Sequence, residues 1–460
     1  MIKRVAKLAI MGALMAASPA SAHPTPKPPM GWNSWDAYGF TLTEAQLKAD
    51  AGIIAGLKRL GWSYVVIDEG WYMRNPLGES LETRDFLLDG NGILIPDPKR
   101  FPSASDGRGF KTLADWTHAR GLKFGIHIIR GIPKEAVRKD LPIANSDFRA
   151  TDAADTQDLC PWEDSSYGIK DNAAGQAWYD ALLHTYAKWG VDFLKVDCIA
   201  DHPYRESEIR QIARAIAKTG RPIVLSLSPG PASLDHAETF GETAQMWRVA
   251  DDLWDRWSFA PDRWPNGVRS VFDNLAKWNA YTRPGHWPDP DMLPFGMLAP
   301  HPGWGELRRT QLSADEERTL FTIDAIARAP LILGGNPGSY NAAELAIINN
   351  AEVIALDQQP RSSRPVTNLP QSLGQARVWT STPAGTSHVD TVAVFNLAEQ
   401  PLRLNLPWAE LGTGQGAFAA RELWSGKRIG CARTVKLNVA PHGVAVFRVD
   451  SRPACVVGSK

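Results

Sequence analysis

Apolar runs of about four to eight residues alternate, over the first 358 positions, with longer stretches whose apolar residues recur at helical spacing. The runs that predict strands are 30–35 (MGWNSW), 64–69 (YVVIDE), 123–129 (KFGIHII), 193–198 (FLKVDC), 222–228 (PIVLSLS), 246–251 (MWRVAD), 286–293 (HWPDPDML) and 330–335 (PLILGG). Helical patterns lie between them at 43–60, 175–189, 205–218, 267–281 and 313–328. Thr43 with Gln46, and Ser313 with Glu316, have the spacing of a capping box at a helix start. Eight buried-type strands interleaved with helices predict an α/β fold, a (β/α)8 TIM barrel over 23–358. A doubly wound sheet fits less well, because no Gly-rich phosphate turn follows any of the strands.

The pattern changes after Gln358. Residues 359–376 are rich in Pro, Ser and Gln and read as a linker. Alternating runs at 376–380, 389–396, 401–406, 416–424, 433–439 and 443–449 then predict a C-terminal antiparallel β-sandwich domain over 377–460. At the other end, Lys3, Arg4 and Lys7 precede a short apolar run, Leu8 to Ala17, and the small residues Ala20, Ser21 and Ala22. This is the pattern of a signal peptide over 1–22, which predicts export to a periplasmic or extracellular location.

Composition narrows the function. Lys+Arg and Asp+Glu are 50 each, with 44% hydrophobic residues. That excludes wholesale disorder and argues against a nucleic-acid partner, which calls for a basic excess. Loss of the leader leaves 47 basic against 50 acidic residues, still near balance. No later stretch is long and apolar enough to predict a membrane span. Trp, at 18, outnumbers Phe (15) and Tyr (9), and exposed indoles suit the flat, partly apolar faces of sugars. Four cysteines, Cys160, Cys198, Cys431 and Cys455, allow three pairings in an oxidising compartment. Sequence proximity favours Cys160–Cys198 and Cys431–Cys455.

In a barrel of this kind chemistry sits at the C-terminal strand ends. Here those ends are acidic: Asp68-Glu69 on the second, Lys195-Val196-Asp197 on the fourth, Asp251-Asp252 on the sixth, Asp289-Pro290-Asp291 on the seventh. Several carboxylates with Lys195 and Arg248, among Trp32, Trp35, Trp71, Trp247, Trp254 and Trp287, fit glycoside cleavage, in which one carboxylate attacks or activates water and another moves a proton. Competing chemistries lack their motifs. His127 and His286 stand alone, with no His-x-His, H-E-x-x-H or C-x-x-C, and no G-x-S-x-G turn is present. No metal and no cofactor is expected.

The residues also carry a resemblance. Pro29-Met30-Gly31-Trp32-Asn33-Ser34-Trp35, Val66-Ile67-Asp68-Glu69-Gly70-Trp71 and Phe193-Leu194-Lys195-Val196-Asp197-Cys198 resemble glycoside hydrolase family 27, the α-galactosidase (melibiase) family. Trp247-Arg248 with Asp252, the run Trp287 to Leu293, Ala329-Pro330-Leu331 and Val353 to Gln358 follow in the same order. The resemblance implies a retaining double displacement with Asp197 as nucleophile and Asp252 as acid/base, Asp251 being the rival for the second role. It implies that Lys195 and Arg248 bind sugar hydroxyls, that Trp35 and Asp68 form the floor and the O4/O6 contacts, and that Cys160 bonds Cys198. Lys195 and Asp197 are two apart on a strand and so face one side, where the cation would keep Asp197 ionised.

Three departures bear on the sugar. Glu69 stands where the family's galactosidases have Asp, reaching about one methylene further toward the place of C6; similar replacements are associated with relatives that cleave β-L-arabinopyranosides. Ser228-Pro229-Gly230-Pro231 replaces the loop that reads O2, and His127 stands at a family Tyr. Glu69, His127 and Ser228 are therefore expected substrate contacts. The expected activity is hydrolysis of terminal α-D-galactosyl residues of an oligosaccharide or polysaccharide, with β-L-arabinopyranosides as the alternative. A catalytically silent carbohydrate-binding protein is the reading from another class; it has no need of an acid/base pair. A homodimer is left open.

Overall fold

The structure is a computed structural model, and it describes residues 25–77, 85–163, 165–260, 264–299 and 306–450. The leader-like segment 1–22 and Cys455, the expected partner of Cys431, lie outside the described residues.

All eight barrel strands form within the expected runs, and all are shorter or equal. They are β1 Met30–Asn33, β2 Tyr64–Ile67, β3 Lys123–Ile129, β4 Phe193–Asp197, β5 Val224–Leu227, β6 Met246–Arg248, β7 Trp287–Asp289 and β8 Leu331–Leu333. They are parallel in the order β7-β6-β5-β4-β3-β2-β1-β8. Closure is made just past β7, where Leu293 donates its N–H to Ile332 O at 2.7 Å and accepts from Gly334 N at 2.9 Å. The barrel is filled rather than hollow: Tyr64, Val66, Phe193, Val224, Met246 and Trp287 form a separate buried cluster of their own.

A helix follows each strand: α1 Glu44–Leu57, α2 Lys111–His118, α3 Ala173–Trp189, α4 Glu206–Thr219, α5 Ala237–Thr243, α6 Val268–Trp278, α7 Ala314–Ala327 and, after β8, α8 Ala351–Gln358. The capping boxes of Thr43 with Gln46 and of Ser313 with Glu316 both form, satisfying N–H groups that the first helical turn leaves without partners. No helix of the described residues is long and apolar enough to cross a membrane.

The C-terminal strands are β9 Arg361–Pro365, β10 Arg377–Pro383, β11 Thr391–Phe395, β12 Leu402–Pro407, β13 Phe418–Glu422, β14 Arg428–Ala432, β15 Thr434–Val439 and β16 Val444–Val449. Six make one antiparallel sheet, β9-β10-β11-β16-β13-β14, and β12 pairs with β15 in a second. One expectation changes. The segment 359–376 is not a plain linker, because its first part is the edge strand β9, paired along its whole length with β10. The second domain packs into the barrel: Trp379, Ala393, Phe395, Leu397, Leu423 and Val446 belong to the same buried hydrophobic cluster as the barrel residues. Helix α7 is the shared wall, with Thr319 Oγ1 donating to His442 O at 2.6 Å and Trp424 Nε1 donating to Thr322 Oγ1 at 3.1 Å.

One turn beside the site depends on glycine. Gly70 follows Asp68-Glu69 with φ +89°, and a Cβ there would lie 2.8 Å from Phe40 Cδ1 and 3.0 Å from Phe40 Cβ. Its carbonyl accepts from the Arg100 guanidinium, which ties the turn down. Gly70→Ala should destabilise the protein by about 1–3 kcal/mol through backbone strain and crowding, read as a lower urea midpoint at unchanged slope.

Candidate active site

One pocket opens at the C-terminal ends of the barrel strands. Trp35 and Asp36 follow β1, Asp68 and Glu69 follow β2, His127 is on β3, Lys195 and Asp197 are on β4, Ser228 follows β5, Arg248 ends β6, and Asp252, Leu253 and Trp254 lie beyond it. Asp291 and Met292 come from the segment after β7, and Trp162 from the long β3–α3 connection. Asp197, Asp252 and the seven expected substrate contacts thus line a single cavity. The parallel register accounts for the middle of it, setting His127 beside Lys195 and Lys195 beside Ser226 on adjacent strands.

The indoles divide differently from expectation. Trp35 and Trp254 line the pocket, but Trp32, Trp71, Trp247 and Trp287 are fully buried fillers behind it. Two of these brace the strand ends: Trp71 Nε1 donates to His127 O at 2.8 Å and Trp32 Nε1 to Gly335 O at 2.9 Å. Trp162, which the sequence reading passed over, is 40% exposed at the pocket wall. Asp36 and Met292 were also missed, and Asp291 was noted only as a strand-end acid.

Six carboxyl groups line the cavity, and two buried cations set their states. Lys195 Nζ donates to Asp68 Oδ2 at 2.9 Å, and Asn33 Nδ2 donates to the same oxygen at 2.7 Å. The Glu69 N–H donates to Asp68 Oδ1 at 2.9 Å. Burial alone would raise the Asp68 carboxyl; the charge of Lys195, helped by His127 and these hydrogen bonds, outweighs it and holds the group well below the usual range. Burial likewise opposes the charge on Lys195, yet Asp68 and then Asp291 keep it firmly protonated.

Asp197 stands beside this pair. The Cys198 N–H donates to Asp197 Oδ1 at 2.6 Å, and His127 Nε2 lies 3.8 Å from Oδ2, an electrostatic rather than a hydrogen-bonding distance. Burial would raise its pKa, but His127, Lys195 and the Cys198 amide together lower it, so Asp197 is an ionised carboxylate with one oxygen tethered. Cys198 itself adopts φ +62° and is bonded to Cys160 with a Cα–Cα distance of 6.0 Å. Arg130 Nε donates to Cys198 O at 2.7 Å, and its other nitrogens pair with Asp158 and Glu208. The strand end is held from both sides.

Arg248 organises the opposite wall. Its Nη2 lies 2.8 Å from Asp291 Oδ2 and 3.2 Å from Asp252 Oδ1. Asp291 has φ +96°, rare for a residue with a side chain, and its Oδ2 also accepts from Leu253 N at 2.8 Å. Asp252 is tethered on its second oxygen by Trp264 Nε1 at 3.0 Å, and its side chain is 42% exposed. Asp251 does not line the pocket; its Oδ1 accepts from the Asp252 N–H, and burial, then the charge of Asp252, push its pKa up to about 6. Among the described residues no group of three or more His, Cys, Asp or Glu could hold a metal ion.

An acid-lined, indole-walled pocket at the C-terminal face of a (β/α)8 barrel has the equipment of a glycoside hydrolase. Comparison with known proteins agrees. A family model described as alpha galactosidase A matches residues 27–134 and 169–359, and one described as the alpha galactosidase C-terminal beta sandwich domain matches 374–449. The chain belongs to glycoside hydrolase family 27. It is similar to the alpha-galactosidase A of Cellvibrio japonicus, 27% identical over 97% of this chain and 98% of that protein. It is similar also to the alpha-N-acetylgalactosaminidase of Gallus gallus, 28% identical over 91% and 92%. Among solved structures, a β-L-arabinopyranosidase of the family from Geobacillus stearothermophilus, in complex with arabinose, is 40% identical with a TM-score of 0.86, over 94% of this chain and all of that one.

The bridge beside Asp197 is open to direct test. Replacing both Cys160 and Cys198 by Ala should cost about 2–4 kcal/mol of stability, seen in chemical denaturation, since the bond closes a loop of 38 residues. A reducing agent should shift the wild type by the same amount and leave the double variant where it is, provided Cys431 is replaced by Ala in both.

Proposed function

We propose that the chain is a retaining exo-glycosidase that removes a terminal β-L-arabinopyranosyl residue from an oligosaccharide or polysaccharide. Asp197 attacks the anomeric carbon while Asp252, protonated, gives its proton to the departing glycosidic oxygen. A water molecule then attacks the glycosyl ester, Asp252 takes its proton, and Asp197 leaves as a free carboxylate, so the configuration is retained. The observation carrying this assignment is that a tethered, ionised Asp197 and an accessible Asp252 line one pocket with Lys195 and Arg248. Asp251 is less suited because it is not among the residues that line the pocket. A silent sugar-binding barrel would have no use for the pair.

The choice of sugar rests on Glu69. It lines the pocket beside Asp68, and its extra methylene takes space a hydroxymethyl group at C6 would need, which a pentopyranose lacks. The 40% identity to an arabinopyranosidase supports the same order. Terminal α-D-galactosyl residues, the leading expectation from the sequence, are the second reading, favoured by curated relatives that are α-galactosidases at 27–30% identity. The leader-like residues 1–22 and the Cys160–Cys198 bridge support action outside the cytoplasm.

Asp197→Ala should abolish turnover with unchanged circular dichroism, and an experimental structure should place the Asp197 and Asp252 carboxyl groups about 5–5.5 Å apart. A variant of near-normal rate, or a separation of about 8 Å, refutes the nucleophile. On p-nitrophenyl glycosides, kcat/KM for the β-L-arabinopyranoside should exceed that for the α-galactoside and the α-N-acetylgalactosaminide. Glu69→Asp should shift the arabinoside-to-galactoside ratio toward galactose, within the roughly 10–200-fold that one methylene can supply. A ratio that stays put removes Glu69 from the explanation.

A further inference from the structure

One carboxyl group of the pocket has no part in the mechanism above. Asp36 follows Trp35 on the short helix Trp35–Tyr38, lines the pocket and is 1% exposed. Its Oδ2 is sealed from solvent and has no hydrogen-bond partner. The nearby cations are engaged elsewhere, Lys195 with Asp68 and Arg248 with Asp291. Buried polar groups without partners are uncommon in native proteins, and a ligand is one of the things that completes them. The chain also makes room for this one: Asp36 Oδ2 occupies the notch left by Gly334, immediately past β8, where the Cβ of any larger residue would collide with it. Burial foremost, and then the charges of Asp291, Asp68 and Asp252 against the opposing Lys195, push its pKa well above the usual carboxylate value. That shift favours the protonated form, which has one donor and spare acceptor capacity, the complement of an alcohol.

We propose that Asp36 is a specificity-determining residue that hydrogen-bonds a ring hydroxyl of the bound pyranose from the β1–β8 side of the pocket. This rests on the reading of the cavity as the site of the terminal sugar. Asp36 does not touch the reacting atoms in this scheme; it holds the ring that Asp197 attacks. Asn has the same shape and offers both a donor and an acceptor, so it should replace a neutral acid that binds a hydroxyl. It should not replace a carboxylate that balances the charge of Lys195.

The test measures KM and kcat on the p-nitrophenyl glycoside that the wild type cleaves fastest, with the inhibition constants of free L-arabinose and D-galactose. Asp36→Ala should raise KM and the inhibition constant of the preferred sugar roughly 3- to 10-fold, the worth of one neutral hydrogen bond, with kcat less affected. Asp36→Asn should stay within about twofold of wild type. Gly334→Ala, which displaces the carboxyl group without removing it, should move KM in the same direction as Asp36→Ala. If Asp36→Ala does not fold, the other two variants decide. Unchanged KM and inhibition constants in Asp36→Ala, or in Gly334→Ala, overturn the proposal, as does an Asp36→Asn variant that binds sugar as poorly as the alanine variant. A wild type that cleaves no glycoside in the panel and binds neither sugar overturns the reading of the whole cavity. Normal wild-type turnover with indifferent variants overturns only the role given to Asp36.

Discussion

Lys195 and Arg248 are the constraint on which the site depends. Six acids share one poorly solvated cavity with these two cations, and like charges at that density cannot all be ionised. Lys195 pairs with Asp68, and Arg248 is shared between Asp291 and Asp252, with burial still pushing the Asp291 carboxyl up to about 7. Lys195 and His127 hold the Asp197 carboxyl below its ordinary pKa against burial, while burial pushes that of Asp36 well above it. Removing one partner of such a pair costs more than the pair contributes, because the remaining charge is stranded in a dry site. The division of labour among chemically similar side chains is therefore a property of the set.

That sorting works only if the strand ends are held still. Asp197 closes β4 and is followed at once by a cysteine in the left-handed region, whose sulfur is bonded to Cys160 and whose carbonyl is clamped by Arg130. Arg130 is itself anchored by Asp158 and Glu208, so the turn after Asp197 is tied to the β3–α3 connection and to α4. On the far wall Asp291 pays a local backbone cost at φ +96° to aim its carboxylate at Arg248 and at the Leu253 amide. Behind both walls the buried indoles of Trp32 and Trp71 hydrogen-bond to backbone carbonyls of other strand ends. Tryptophan abundance is mostly a matter of bracing, with few indoles left for ligand.

The second domain contributes through the same logic of rigidity. Its sheet completes the hydrophobic core around α7, and Phe395 meets Phe272 of α6 edge-on at 5.0 Å. Trp257, a few residues beyond the Asp252 segment, stacks on His442 of the β15–β16 turn at 4.0 Å. The segment just beyond Asp252 is thereby in contact with the sandwich.

Much of this was legible in one dimension. The eight strands are buried on both faces, so each reads as a short apolar run, and period and length were enough to count them; Thr43 and Ser313 marked helix starts because capping is a local interaction. The site acids were legible for a related reason, since barrel strands deliver the residues at their ends to one rim whatever the loops do. What the sequence could not decide depends on contacts between distant segments. Strand β9 looked like a linker because an edge strand needs little apolar alternation once a neighbour supplies its hydrogen bonds. Trp32 and Trp35 are three residues apart and chemically identical, and only the packing around them makes one a filler and the other a wall. Asp36 gave no signal, because its significance lies in Gly334, 298 residues away, and in cations already taken by other acids. Local sequence determines which backbone form each segment takes and which residues reach the rim; the charge each one carries there is set by burial and neighbours, which exist only once the chain has folded.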